Sequence, residues 1–434
     1  MLKYIDGNRN NFLDQLEILL GKRKIQESRK LPIVKKILKD IKNNKDKALI
    51  KYERKYSNLK NIKKNDIIFK NSEITKILKN LEPKTKKSID LAFDRIIKFH
   101  KMQKINSYSI NDKYNNVMSY TTSPISKIGV YVPGGTASYP SSVLMNCIPA
   151  IVAGVKEIYM STPSLNKSFN PAVIYAAKKC KVKEIYKAGG AQAIAAFAYG
   201  TSVVKKVDKI VGPGNEYVAL AKKEVFGEVG IDMIAGPSEV TIVADKSCNP
   251  DWVAADLIAQ AEHDKNSQSI LISNDKKIIS KVCQSLKEQL KNLPKKKIAS
   301  ESLKNFGLAI FAKRENTMSN IVNAIAPEHL EICTKKPKKI LKKISNAGSI
   351  FIGNYSPEAM GDYIAGTNHV LPTSGSAKFS SGLSVYDFLK KHSIIKITKS
   401  GIERLGTSVI NLAEYENLKG HSNSIKIRLN KGKI

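Results

Sequence analysis

From Ile128 onward, short apolar strands alternate with segments of helix length, and this alternation constrains the fold more than any other feature. Such a pattern, with helices of about 10–15 residues, predicts parallel strands in doubly wound α/β domains. The predicted strands are Ile128–Gly135, Glu157–Thr162, Lys183–Lys187, Lys209–Val211, Glu239–Ala244, Ser269–Ser273, Gly307–Ala312 and Ser349–Ile352. The predicted helices between them include Ser141–Val155, Pro171–Lys179, Gln192–Tyr199, Glu216–Phe226, Pro250–His263 and Glu315–Ala324.

Three glycine-containing turns, PGGT, AGGAQ and GPGN, each follow a strand in the first half of this pattern. In open parallel sheets, ligands bind at the carboxyl ends of the strands. A nucleotide is therefore one interpretation of these turns. Glycine is also common in ordinary tight turns, and the G-x-G-x-x-G dinucleotide fingerprint is absent from the sequence. Both interpretations stay open from the turns alone.

The segment Pro250–His263 is predicted to be a buried helix, because its side chains are apolar almost all round. Asn249 is a plausible N-cap for it. Asp256, Gln260 and His263 are spaced i, i+4 and i+7 and share one face. A polar seam on a buried helix needs partners, since an unpaired buried polar group costs roughly 1–3 kcal/mol. The seam is either an internal hydrogen-bond network or half of a metal site, with Gln260 and His263 as ligands.

Two further segments carry acid and base side chains. Glu328 and His329 are adjacent after a proline, which suits an acid/base pair but also ordinary surface polarity after a helix. A helical turn after Pro357 would place Glu358 and Asp362 on one face. Six histidines occur in the chain. Four of them lie beside carboxylates or amides in segments marked by glycine or proline: His263, His329, His369 and His421.

Composition excludes several classes of protein. The 434 residues are enough for about three domains, and no run of about 18 apolar residues predicts a membrane helix. The N-terminus lacks the pattern of a signal peptide. The five cysteines are scattered without a C-x-x-C pair, which favours a reducing cytoplasm and argues against a thiolate zinc site.

The formal net charge of +35 raises the question of nucleic-acid binding. Nearly all of the excess is lysine, and the chain has only eight arginines, the residue that usually reads bases and phosphates. No nucleic-acid-binding motif accompanies the charge. We therefore expect neither a nucleic-acid partner nor a membrane partner.

Taken together, these segments resemble the histidinol dehydrogenase family over essentially the whole chain. The strings that carry the resemblance are GVYVPGGTASYPSSVLMN, KAGGAQAIAAFAYGT, KIVGPGNEYV, IDMIAGPSEV, DLIAQAEHD, APEHLEI, GNYSPEAMGDYIAGTNHVLPT, FSSGLSVYDF and an E-x-L-x-x-H tail. The resemblance implies an α/β fold of two Rossmann-like parallel-sheet domains without G-x-G-x-x-G, N- and C-terminal helical arms, and an interlocked homodimer. The implied boundaries are 1–27 for the N-terminal arm, 28–129 and 239–382 for the first domain, 130–238 for the second (NAD-side) domain and 383–434 for the dimerisation arm.

The resemblance also implies one zinc ion and NAD at each active site. It assigns the zinc ligands to Gln260, His263, Asp362 and His421, with His421 coming from the partner subunit. It assigns NAD binding to Tyr131, Gln192 and Asn215, one on each glycine-containing turn. It places catalysis on Glu328 and His329. The implied substrate contacts are Ser238, Gln260, His263, Glu328, His329, Asp362, His369, Glu416 and His421.

The implied reaction oxidises L-histidinol with NAD to the aldehyde, and then oxidises the aldehyde with a second NAD to L-histidine. A histidine such as His329 suits the base that takes the hydroxyl proton, and Glu328 suits activation of water for the second step. One rival is a paralogous zinc- and NAD-dependent dehydrogenase of another small alcohol. The other is a non-catalytic basic binding protein, which leaves the histidine and carboxylate set unexplained.

Overall fold

The structure, a computed structural model, describes residues 2–9, 11–21, 29–57, 60–103, 105–134, 139–164, 169–234 and 236–430. The chain forms two compact units, and each is described by itself. The larger unit comprises Met1–Met102 and Ser126–Asp387, and the smaller unit comprises Gln103–Ile125 and Phe388–Ile434.

The strands in the described residues are β1 (Lys3–Asp6), β2 (Tyr108–Asn111), β3 (Val117–Pro124), β4 (Lys127–Tyr131), β5 (Glu157–Ser161), β6 (Glu184–Tyr186), β7 (Lys209–Val211), β8 (Gly230–Ile231), β9 (Glu239–Ala244), β10 (Gln268–Ser273), β11 (Leu308–Phe311), β12 (His329–Cys333), β13 (Ser349–Ile352) and β14 (Leu389–Lys396). The helices are α1 (Phe12–Gly21), α2 (Leu31–Tyr56), α3 (Asn71–Leu78), α4 (Pro83–His100), α5 (Pro140–Ala153), α6 (Pro171–Lys179), α7 (Gly190–Tyr199), α8 (Glu216–Val225), α9 (Pro250–Ala261), α10 (Lys276–Gln289), α11 (Lys296–Phe306), α12 (Glu315–Ile325), α13 (Pro337–Leu341), α14 (Glu358–Tyr363), α15 (Lys399–Tyr415) and α16 (Lys419–Arg428).

The larger unit contains a six-stranded sheet in the order β1-β11-β10-β9-β12-β13, and all of its neighbouring strands are parallel. Every residue of β9 and β10 is buried, as expected for central strands of a parallel sheet that is covered on both faces. One face of the sheet packs on α9, α10 and α11. The other face packs on α1, α12 and α13. Helices on both faces are what the strand and helix alternation predicts.

Register places the amino ends of β9 and β12 side by side. His329, the first residue of β12, pairs with Val240, the second residue of β9. Glu239 and His329 therefore lie together at the amino-terminal edge of the six-stranded sheet. Glu328 precedes His329 at the same edge.

The larger unit also contains a five-stranded parallel sheet in the order β6-β5-β4-β7-β8. Its core includes residues of α2, α7 and α8 packed against tyrosines and isoleucines of the strands. The glycine-containing turns follow β4, β6 and β7, so they lie at the carboxyl-terminal edge of this sheet. The part of the PGGT turn from Gly135 onward lies outside the described residues.

Two details of the larger unit depart from the expected organisation. The N-terminal segment was expected to be a helical arm, but its first residues form β1, which extends the six-stranded sheet by pairing with β11. Helix α2 was expected in the first domain with the 239–382 segment, but it packs in the core of the five-stranded sheet. The helix carries a row of buried apolar side chains that α7 covers. The boundaries of the two Rossmann-like domains stay a prediction.

The smaller unit is built on an antiparallel sheet in the order β14-β3-β2. The sequence analysis predicts neither β14 nor its partners, because β14 is mostly exposed and lacks a buried apolar row. The C-terminal segment of this unit forms the amphipathic helix α15. Asn417 adopts a left-handed conformation with φ of 59°, and α16 begins two residues later at Lys419.

Most predicted elements of the α/β region agree with the structure to within two residues at each end. The predicted N-cap of α9 is confirmed, because the Asn249 side chain accepts hydrogen bonds from the backbone N–H groups of Asp251 and Trp252. Among the described helices, none is both long and apolar enough to cross a membrane.

Candidate active site

His329 is held at the edge of the six-stranded sheet with a defined tautomer. It is buried, and its Nδ1 lies 3.0 Å from the backbone carbonyl oxygen of Glu239. A carbonyl oxygen only accepts hydrogen bonds, so Nδ1 carries the proton and donates it to Glu239. In the neutral ring Nε2 is then unprotonated. Nε2 is buried and finds no hydrogen-bond partner among the described residues. Such a nitrogen can take a proton from a bound molecule.

Three carboxylates surround the His329 ring. The Oε2 atoms of Glu328 and Glu358 each lie 3.8 Å from Nδ1, and Oδ1 of Asp362 lies 3.6 Å from Nε2. Burial alone would lower the pKa of His329. The charges of Glu328 and Glu358, together with Asp362, outweigh burial and raise this pKa well above its ordinary value. Without a metal ion these carboxylates favour the imidazolium form of His329, and a cation bound by Asp362 would weaken that effect and leave the ring able to accept a proton.

Glu328 is a buried carboxyl group with one fixed oxygen. Its Oε2 accepts a hydrogen bond of 2.8 Å from the backbone N–H of Glu239. Burial raises the pKa of Glu328 to about 7, against a smaller lowering by His329 and by the Glu239 N–H group. A carboxyl group with this pKa is partly ionised near neutral pH and can act as a general base there.

A second group of carboxyl groups comprises Asp256, Glu331 and Glu358. Oε1 of Glu331 accepts a hydrogen bond of 2.7 Å from the backbone N–H of Glu358. Burial, followed by the nearby charges of Asp256 and Glu358, raises the pKa of Glu331 well above its ordinary value. Burial also raises the pKa of Asp256 to about 6. Like charges this close do not all ionise in a buried site, so the group retains protons at neutral pH.

The polar seam of α9 joins both groups. In the orientation that satisfies its amide, Gln260 donates from its nitrogen to both carboxylate oxygens of Glu358 at 3.0 Å. The amide oxygen of Gln260 then faces away from Glu358. Asp256 lies beside Glu331, as described above. Two members of the seam are thus part of an internal polar network, which was one of the two interpretations of this helix.

His263, just beyond the end of α9, is part of a group that could hold a metal ion. One ligand atom each from His263, Glu358 and Asp362 lies within 4.8 Å of the other two. Ligand atoms about 2.0–2.2 Å from one tetrahedral centre lie about 3.3–3.6 Å apart, so these side chains would move closer together on binding zinc. The donors are imidazole and carboxylate, which suit zinc without thiolates. The residues present therefore fit a metal ion.

His369 and Ser238 complete the predicted residues of the larger unit. Nδ1 of His369 donates to the backbone carbonyl oxygen of Asp362 at 2.9 Å, and the ring is half-buried. Ser238 directly precedes Glu239, and its carbonyl oxygen accepts a hydrogen bond from Gln268. The structure therefore ties His369 to Asp362 directly and brings Ser238 to the same sheet edge as Glu328 and His329.

Glu416 and His421 lie in the smaller unit. Glu416 follows the last residue of α15, and His421 lies in the first turn of α16. Both residues are exposed. Their participation in the active site stays a prediction.

The three residues predicted for NAD lie at the carboxyl-terminal edge of the five-stranded sheet. The buried hydroxyl oxygen of Tyr131 accepts a hydrogen bond of 3.0 Å from the backbone N–H of Gly190. Gln192 is buried in the first turn of α7. Asn215 is the N-cap of α8, and its side chain accepts hydrogen bonds from the backbone N–H groups of Tyr217 and Val218. Each residue thus has a structural role besides the predicted one.

Close packing explains several glycines of these turns without a ligand. A Cβ atom on Gly212, which has φ of 110°, would lie 2.1 Å from the carbonyl oxygen of Tyr131. A Cβ atom on Gly134 would lie 2.4 Å from the carbonyl oxygen of Pro163. The ordinary tight-turn interpretation of the glycines is therefore sufficient for these two positions, and the nucleotide interpretation needs other support.

Four buried carboxyl groups that line these sites were not assigned from the sequence: Glu53, Glu239, Glu331 and Glu358. For Glu358 a signal was present, because the helical turn predicted a common face with Asp362. Glu239 begins β9 and Glu331 lies within β12. The alternation of residues along a strand does not indicate which charged side chains will be brought close to it by folding. Glu53 lies in a lysine-rich helix far from the α/β region in sequence.

The chain matches the family model "Histidinol dehydrogenase" over residues 21–429. It is 55% identical over 431 residues to the histidinol dehydrogenase of Pelagibacter ubique (strain HTCC1062), with 99% of each chain covered. It is 48% identical over 396 residues to the histidinol dehydrogenase of Clostridium acetobutylicum, with 91% of each chain covered. The crystal structure of histidinol dehydrogenase from Elizabethkingia anophelis is similar, with a TM-score of 0.93 and 40% identity, over 99% of this chain and 98% of the other.

Proposed function

Because this chain belongs to the histidinol dehydrogenase family, we infer that it is an oxidoreductase that oxidises histidinol in the biosynthesis of histidine. The reaction converts L-histidinol to L-histidine through the aldehyde and uses two NAD. The structural observation that carries this proposal is that the neutral His329 ring is protonated on Nδ1, so its Nε2 is free to accept a proton. Its Nδ1 donates to the carbonyl oxygen of Glu239, and its Nε2 has no hydrogen-bond partner among the described residues.

His329 serves as the base in both oxidations. As hydride leaves the carbon of the alcohol, Nε2 of His329 takes the hydroxyl proton. The carboxylates of Glu328, Glu358 and Asp362 stabilise the resulting imidazolium. The second oxidation removes hydride from the hydrated aldehyde, and the same nitrogen again takes a hydroxyl proton.

Glu328 serves as the base that activates water between the two oxidations. Addition of water to the aldehyde needs a proton acceptor, and a carboxyl with a pKa of about 7 is partly ionised at neutral pH. Its Oε2 is held by the Glu239 N–H group, so the carboxylate has a fixed orientation. In this proposal His329 takes the hydroxyl proton in each oxidation, and Glu328 takes the proton of the water that adds to the aldehyde.

Zinc would be held by Gln260, His263 and Asp362 in this chain, with His421 of a second copy as the fourth ligand. When bound, zinc would hold and orient the substrate, and NAD would accept the hydride. Ser238, Glu328, His329, His369 and Glu416 are proposed as substrate contacts, in addition to the metal ligands. The support within the larger unit is the proximity of His263, Glu358 and Asp362 and the tie between His369 and Asp362.

NAD is proposed to bind at Tyr131, Gln192 and Asn215, on the 130–238 domain of the two Rossmann-like domains. Support comes from the common position of these residues at the carboxyl edge of a parallel sheet. The first turns of α7 and α8 lie at the same edge, and helix N-termini suit the pyrophosphate of a dinucleotide. We also propose that the protein is located in the cytoplasm.

The test of the function is an assay of the purified chain with L-histidinol and NAD. We expect two NADH per histidinol consumed, because both oxidations occur on one enzyme. Prior treatment with a chelator should remove activity, and added zinc should restore it. Small alcohols without an imidazole serve as controls for the rival interpretation, and a preference for one of them over L-histidinol would contradict the proposal.

The homodimer is proposed to complete each active site through the C-terminal segment 383–434. The apolar face of α15, including Leu405, Val409 and Leu412, is exposed in the single chain, which supports burial against another copy. Mixing two inactive variants, His421→Ala and His263→Ala, should restore activity, because a mixed dimer has one intact site. Proven subunit exchange without returning activity would place His421 in the site of its own chain instead.

A further inference from the structure

Helix α2 delivers a buried carboxyl group to the turn between β6 and α7. Glu53 has no exposed surface. Its Oε1 accepts two hydrogen bonds, one of 3.0 Å from the backbone N–H of Gly189 and one of 2.8 Å from the Nε2 atom of Gln192. These contacts join residues separated by more than a hundred positions in sequence.

Burying the Glu53 carboxyl group lowers the stability of the folded protein. Burial raises the pKa of Glu53 to about 7, although the Gly189 and Gln192 hydrogen bonds partly oppose that rise. Its Oε2 is buried and has no hydrogen-bond partner among the described residues. An apolar side chain of similar size would avoid this desolvation. A role beyond packing therefore needs to explain the carboxyl group.

The geometry supplies such a role, because Glu53 fixes the direction of the Gln192 amide. The two ends of an amide have nearly the same shape, so only hydrogen bonding distinguishes its two orientations. The bond to Glu53 commits the nitrogen, and the amide oxygen lies near Gly190, where it would be 3.0 Å from an added Cβ. The same carboxyl oxygen holds the Gly189 N–H group. The next N–H group, that of Gly190, binds the hydroxyl of Tyr131.

We propose that Glu53 is a positioning residue for NAD, which orients Gln192 and holds the Gly189–Gly190 turn against Tyr131. This inference rests on the proposed function, in which Gln192 and Tyr131 contact the cofactor. Glu53 itself does not touch NAD in this proposal. It acts through one amide side chain and one backbone turn.

The test uses three variants of the full chain. Glu53→Met keeps the approximate side-chain volume and removes the acceptor. Glu53→Gln keeps an accepting oxygen for both donors. Leu38→Ala is the matched control, because Leu38 is buried in the first part of α2, which a kink at Lys45 separates from the part that carries Glu53. Calorimetry measures the Kd for NAD, and hydrogen–deuterium exchange measures protection of the Gly189 amide.

We expect Glu53→Met to weaken NAD binding about tenfold, the effect of losing the accepted hydrogen bond that holds the Gln192 amide. Hydrogen–deuterium exchange of the Gly189 amide should be faster in Glu53→Met. Glu53→Gln should retain the wild-type Kd for NAD and the wild-type protection of Gly189. The KM for NAD should rise in Glu53→Met with a smaller change in kcat, while zinc content and the KM for L-histidinol stay unchanged. Leu38→Ala should lower stability and leave the Kd for NAD unchanged. In Gln192→Ala, adding Glu53→Met should weaken binding less than it does alone.

Folded Glu53→Met with the wild-type Kd for NAD would overturn the proposal. If Glu53→Met does not fold, Glu53→Gln still decides, because weakened binding in a variant that keeps the acceptor also overturns it. Failure of the proposed function is distinguishable: the wild-type chain itself would then bind no NAD and oxidise no histidinol, and the positioning role would be wrong with it.

Discussion

The residues proposed for the cofactor and for catalysis lie at opposite edges of the two parallel sheets of the larger unit. On the five-stranded sheet, Tyr131, Gln192 and Asn215 lie at the carboxyl ends of the strands, where the helices α7 and α8 begin. On the six-stranded sheet, Glu239 and His329 lie at the amino ends, where α9 reaches its end near Gln260 and His263. The usual rule for open α/β sheets describes the first edge and not the second.

Helix dipoles give a physical reason for this difference. Helix N-termini carry partial positive charge and suit an anionic pyrophosphate, whereas helix C-termini carry partial negative charge and suit a cation. Gln260 lies in the last turn of α9 and Asp362 in the last turn of α14. The amino edge also collects the titratable groups that proton transfer needs. The carboxyl edge instead presents backbone groups, the Gln192 amide and the Tyr131 phenol. Glu53 accepts hydrogen bonds from Gly189 and Gln192 at this edge.

The largest effect is expected at the amino edge from His329→Asn. Loss of the base should slow both oxidations by roughly 10²–10⁴-fold, because a proton must leave with each hydride. The Kd for NAD should stay unchanged, since the residues proposed to bind it lie on the other sheet. Separate assays of histidinol and of the aldehyde measure the two steps. His392→Asn, at an exposed histidine of β14, is the control, and wild-type alcohol oxidation in His329→Asn would contradict the assignment.

Glu328→Gln should impair one step of the two. Aldehyde oxidation should fall by roughly 10²–10⁴-fold, while the alcohol step stays closer to wild type, because only the aldehyde needs activated water. In the wild type, the aldehyde step should slow as the pH falls through about 7, since protonated Glu328 cannot accept a proton. This pH dependence should disappear in Glu328→Gln. If the variant lost the alcohol step and kept the aldehyde step, the two roles would be reversed.

At the carboxyl edge, Lys222→Met should act on stability. Lys222 and Asp232 form an ion pair with side chains 3% and 1% exposed, and they bind the carbonyl and the N–H group of Gly212 respectively. Removing one partner leaves a buried charge, so the free energy of unfolding should fall by roughly 3–5 kcal/mol.

The matched control is Lys206→Met, whose ion pair with Glu228 is exposed and should contribute about 0–1 kcal/mol. Urea denaturation measures both variants. Equal losses from the buried and the exposed pair would show that burial does not distinguish them.

The smallest effect is expected from Glu358→Gln on zinc affinity. Glu358 holds the Gln260 amide, and supporting residues of this kind typically contribute 10–100-fold to metal affinity. His263→Asn removes a ligand and should lower affinity further. Zinc content after dialysis against a graded chelator measures both, with the exposed Glu301→Gln as control. Loss of zinc in Glu358→Gln equal to that in His263→Asn would instead make Glu358 a ligand.

Prediction from sequence succeeded where local signals sufficed. The strands β9 and β13 and the helix α6 were predicted at their observed bounds, because β-branched residues mark the strands and a proline at the first helical position marks the helix. The exposed strand β14 gave no such signal, and its pairing with β3 depends on residues more than two hundred positions away. The N-terminal strand β1 was missed for a similar reason, since a single edge strand of four residues carries little periodicity.

The sequence by itself determined the family, the α/β alternation and the identity of the histidines and carboxylates that deserve testing. These follow from residue types and spacings, which a chain carries in any conformation. Only the tertiary structure decided that Nδ1 of His329 is committed to the Glu239 carbonyl and that Glu53 reaches Gly189 and Gln192. It also decided which carboxyl groups are buried together. Hydrogen-bond direction and desolvation depend on neighbours brought together by folding, and they shift a pKa or fix a tautomer in ways that spacing along the chain does not encode.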